Sequence, residues 1–141
     1  MLRARETSRT ATVMVEFAIV ASLVLAPLTV GMIEMARGIT VKQVLSDAAR
    51  KGCRTGILPT GNNSDITSDI NQVLTDNQIT PSWATITIMV NNVVADPSTA
   101  KAGDQISVKI AIPVSKIALI TPHFLPASNI ESDTLVMMRQ Q

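Results

Sequence analysis

VMVEFAIVASLVLAPLTVGMI, residues 13–33, is the stretch on which the fold turns. From Phe17 to Ile33 it holds no charged residue, and its one ionisable group is Glu16. At about 1.5 Å rise per residue, 21 residues in a helix cover roughly 31 Å, close to the ~30 Å hydrocarbon thickness of a bilayer. One span fits, and only one. Pro27 and Gly31 would weaken a helix in water, but membrane helices tolerate both because neighbouring groups take up the freed backbone. Glu16 is the costly member. A carboxylate at the mouth of an apolar helix either sits at the interface, where it favours the helix N-terminus, or has a partner in the membrane.

The flank before the span carries Arg3, Arg5 and Arg9 against Glu6. Basic residues stay preferentially on the cytoplasmic side, so the N-terminus is expected in the cytoplasm and the bulk of the chain outside it. Lys42, Arg50, Lys51 and Arg54 on the far side pull the other way, but the eleven-residue tip reads as a retained cytoplasmic leader. A cleaved secretory signal has an apolar core of about 7–15 residues ending in a small-x-small site. Here the run is longer and ends in Ile33-Glu34-Met35-Ala36-Arg37, so it reads as a retained single-pass anchor.

Working outward, the inventory of the whole 141-residue chain narrows the function. Of all residues 46% are hydrophobic, only 2% are aromatic, and Lys+Arg 12 stand against Asp+Glu 11. From Ile39 onward eight basic residues meet eight acidic ones, so the apolar surplus belongs largely to residues 13–33. A net charge of +1 without a clustered basic face argues against nucleic acid as a partner. With one His, one Cys and no Tyr, a Cys₂His₂ or His₃ zinc set cannot be assembled in the chain. No Gly-rich phosphate loop or nucleophile elbow is present. His123, between Pro122 and Pro126, reads as a loop histidine, Trp83 as a packing residue in a core or interface, and Cys53 as a small, half-buried hydrophobe on a helix. No catalytic, cofactor-binding or metal-binding residue, no cofactor and no small-molecule substrate is expected, and the chain reads as no enzyme.

Past the span, Glu34 and Arg37 are three apart and share a helix face at the interface. Ile39, Val41, Val44, Leu45, Ala48 and Ala49 keep the helical period, so the membrane helix should continue into a stalk reaching about residue 54, stopped by Gly52 or Gly56. GILPTGNNS, residues 56–64, is loop chemistry. Ser64 could cap a short helix whose Ile66, Ile70, Val73 and Leu74 share a face, with Asp65 and Asp69 on its solvated side. From Trp83 the period changes to two: Ile86, Ile88 and Val90 mark one strand, Ile106, Val108, Ile110 and Ile112 a second ended by Pro113, and residues 129–139 a third. The expected fold is α+β: a cytoplasmic basic leader (1–11), a transmembrane helix (12–38), a helical stalk (39–55), and an extracytoplasmic head (56–141) with a short helix and a small antiparallel sheet of about three strands.

The order of these residues resembles a known family. Arg9-Thr10-Ala11-Thr12-Val13-Met14-Val15-Glu16-Phe17 resembles the class III signal of type IV pilins and pseudopilins, in which a prepilin peptidase cuts after a small residue and leaves Glu at the fifth mature position. The resemblance implies Ala11 before the cut and Thr12 as the new N-terminus, with Ala11 standing where Gly is usual. Val15-Glu16-Phe17-Ala18-Ile19-Val20, Pro27-Leu28, Gly31-Met32-Ile33-Glu34-Met35-Ala36-Arg37 and Gln43 through Arg54 resemble, in particular, the TadE-like pseudopilins of the tight-adherence (Flp, type IVc) pilus. That likeness implies a pilin-like fold and a minor pilin or pseudopilin working in pilus assembly. Its implied partners are the membrane, other pilin or pseudopilin subunits, the prepilin peptidase and the inner-membrane assembly machinery. Glu16 would pair there with a neighbour's new amino terminus. The alternative is a single-span anchor presenting an extracytoplasmic binding module that never enters a filament.

Overall fold

The computed structural model describes the backbone of residues 3–118 and 128–139, and side chains from residue 11 onward within those ranges. The basic side chains Arg3, Arg5 and Arg9 and the loop holding His123 lie outside the described residues. The chain divides into two compact units, Met1–Arg37 and Gly38–Gln141. Helix α1, Arg3–Gly56, contributes to both, and in the second unit it is followed by helix α2, Asn63–Asp76.

Five strand segments complete the second unit: β1, Thr85–Val90; β2, Val93–Val94; β3, Gln105–Pro113; β4, Asn129–Glu131; and β5, Leu135–Met138. All pairings are antiparallel, in the order β2-β1-β3, with β4 and β5 sharing the far side of β3. The period-two stretches therefore fall where the alternation places them, and the sheet is richer than three strands for two local reasons. The first is the turn Asn91-Asn92, whose φ angles of 50° and 65° are the left-handed pair of a two-residue hairpin loop, so Val93–Val94 folds back on β1. Asn91 also ties this turn to the start of β3: its Nδ2 donates to Asp104 Oδ1 at 2.9 Å, and its Oδ1 accepts from the Gln105 N–H at 3.0 Å. The Asn91 amide, together with the Lys101 N–H, holds the Asp104 carboxyl below its ordinary pKa.

The second reason is a β-bulge. Ala111 pairs with Glu131 and Val108 with Leu135, so Ser132, Asp133 and Thr134 face only Lys109 and Ile110. One extra residue on one strand interrupts the ladder and splits what would be a single strand over 129–138. Ser132 repairs the break twice: its N–H donates to the Ile110 carbonyl at 2.8 Å, and its Oγ accepts from the Ile110 N–H at 2.9 Å. Ser132 is buried. Ser132→Ala removes the acceptor and strands a buried N–H, so it should destabilise the second unit by about 1–3 kcal/mol. Ser132→Thr keeps the hydroxyl and should lose less, as thermal unfolding of the pair would show.

The core forms where the inward face of the sheet meets the two helices. Ile88, Val108, Ile110 and Ile112 join Val41, Leu45, Ala48, Ala49 and Cys53 of α1 and Ile66, Ile70 and Leu74 of α2 in one buried cluster. Ile39, which the helical period places with this set, is instead 55% exposed. Gly52 and Gly56, one turn apart, let the helices approach. A Cβ on Gly52 would lie 2.8 Å from Ile70 Cδ1, and one on Gly56 would lie 3.0 Å from Ile66 Cδ1. The α2 cap is Asn62 rather than Ser64: its Oδ1 accepts from the Asp65 N–H at 2.9 Å, a position open to Asn as readily as to Ser. Asp69 is not simply solvated, since it accepts from Thr55 Oγ1 and lies 3.5 Å from Lys51 Nζ, joining α1 to α2. Trp83 ends a 3₁₀ turn just before β1 and is 37% exposed, more surface than core. Arg139, past β5, donates to the Pro59 carbonyl at 2.7 Å and to the Pro97 carbonyl, fastening two loops to the last strand.

Cys53 is fully buried rather than half-buried, with Sγ 3.4 Å from the Leu135 carbonyl, and burial pushes its thiol pKa up. A buried protonated thiol is a poor nucleophile. Maleimide should therefore label Cys53 only after the second unit opens, and labelling of the native chain at the rate of a free thiol would contradict this packing.

Candidate functional site

The candidate site is the first unit itself, over its described side chains 11–37. Among residues 13–35 every Val, Leu, Ile, Met and Phe is exposed, and the least exposed, Val30, still keeps 39% of its surface. Keeping such a side chain in water rather than in an apolar phase costs roughly 1.5–3 kcal/mol. A soluble monomer rarely leaves so large an apolar surface open. The composition of α1 meets this demand: an 18-residue window between Ala11 and Gly56 is long and apolar enough to cross a membrane, and none of that window is buried within the chain.

The two hydroxyls of residues 13–33 bond back to the helix itself. Ser22 Oγ donates to the Ala18 carbonyl at 2.7 Å, and Thr29 Oγ1 donates to the carbonyls of Leu25 and Ala26 at 3.0 and 2.8 Å. Such back-bonding lets hydroxyls enter an apolar phase without an orphaned donor. Pro27 lies inside the helix and brings no N–H to bond the carbonyl of Leu23 one turn back. Next to it, Val15, Ala18, Ile19, Ser22, Leu23, Ala26 and Pro27 line a shallow apolar groove along one face. The residue spacing alone gives no direct sign of this groove beyond the small side chains Ala18, Ser22 and Ala26 at intervals of four.

Glu16 is exposed and borders this face. At about 100° per residue, Leu23 and Pro27 each fall within roughly 20° of Glu16 around the helix axis, on either side of it. The carboxylate therefore lies at one edge of the apolar groove, beside Leu23 and Pro27. Ala11, Thr12 and Phe17 are also exposed, which leaves the Ala11–Thr12 peptide on the helix surface. At the other end of the stretch Glu34 is half-buried and Arg37 exposed, three positions apart on one helix. Among the described residues no three His, Cys, Asp or Glu side chains come together as a metal site would require.

A single exposed apolar helix of this length, joined to a small α+β unit, has the build of a single-pass membrane protein. Residues 11–54, about a third of the chain, match the family model described as TadE-like protein. The matched segment begins at Ala11, takes in Glu16 and the groove, and ends beside Cys53. No curated protein and no solved structure matches the chain significantly.

Proposed function

We propose that the chain is a membrane-anchored pseudopilin or minor pilin that takes part in assembling a Tad/Flp-type IV pilus, and that a prepilin peptidase processes it after Ala11. The observation that carries this reading is the coincidence of the TadE-like match with a helix whose apolar surface the described residues leave uncovered. Cleavage between Ala11 and Thr12 would remove the basic leader, keep the span and put a new amino group one turn from Glu16. An ion inside a bilayer is expensive unless it is paired. A neighbouring subunit's amino terminus, brought alongside by helix packing in the groove, would neutralise Glu16 in the assembled state. The role is structural rather than catalytic. The leader would face the cytoplasm, the anchor would sit in the inner membrane beside the assembly machinery, and the second unit would lie outside the cytoplasm.

Glu16→Ala separates this reading from that of a free-standing anchored binding module. In cells that make the pilus, the substitution should leave the protein in the membrane but abolish its crosslinking to pilin subunits. Crosslinking at the level of the unsubstituted chain would overturn the assembly role.

A further inference from the structure

We draw no further inference here: the strongest candidate, the outer face of the sheet, where exposed Val94, Val136 and Met138 flank the buried, unpartnered hydroxyl of Ser107, is an apolar face for which nothing in the structure shows what covers it.

Discussion

Ile70→Ala is expected to lower the unfolding free energy of the second unit by about 2–5 kcal/mol, the range for emptying a fully buried aliphatic site. Ile70 is 0% exposed and lies where α2 presses on Gly52 of α1, so its loss leaves a gap at the tightest helix contact. The neighbouring glycine supplies the control. In the unsubstituted chain, Gly52→Ala sets a Cβ 2.8 Å from Ile70 Cδ1, and the crowding offsets the roughly 1 kcal/mol that Ala gains over Gly in a helix. In the Ile70→Ala background only Ile66 Cγ2, 3.2 Å from that Cβ, still has to give, so Gly52→Ala should cost less there or stabilise. The two changes should thus couple by 0.5 kcal/mol or more, a magnitude usual for about that closeness of contact. Cys53 labelling under native conditions reads the opening free energy directly, and additive effects would show that the helices do not meet there.

The second large effect concerns the first unit. Leu23, 77% exposed and midway along residues 13–33, would sit near the bilayer centre. Leu23→Arg should cost about 3–4 kcal/mol of insertion free energy, on scales that place a central Arg at roughly +2.5 to +3.5 and Leu slightly below zero. The membrane-extracted fraction should fall accordingly. Adding Arg beyond the span, as in Ser46→Arg, should leave it unchanged. Equal insertion of the two variants would argue against a bilayer around Leu23.

Much of this molecule is legible in its sequence, and the exceptions are instructive. The uncharged run, a glycine stop that the period leaves open between Gly52 and Gly56 and that falls at Gly56, and the isoleucine alternation of β1 and β3 are local signals strong enough to survive folding. The bulge at Ser132 is not local: it exists because Ser132 bonds Ile110 across the sheet, and no period in residues 129–139 reports that partner. The hairpin at Asn91-Asn92 is signalled, since two Asn between Val90 and Val93 suit a two-residue turn, but β2 is too short for alternation to mark it. The cap at Asn62 competes with Ser64 on equal chemical terms, and the spacing of the α2 isoleucines does not separate the two. Cys53 is buried by Leu135, which lies far along the chain. At the candidate site, Glu16 stands out because it is the single charge in an apolar run. The groove beside it needs the helix in three dimensions, with Ser22 folded back on Ala18.

The most direct measurement is the intact mass and N-terminal sequence of the full-length chain purified from membranes of cells that carry a prepilin peptidase. The account predicts a mature chain that begins at Thr12, retains Glu16 and keeps the whole span. A chain that still begins at Met1, or one that begins near residue 36 after loss of the apolar helix, would contradict it.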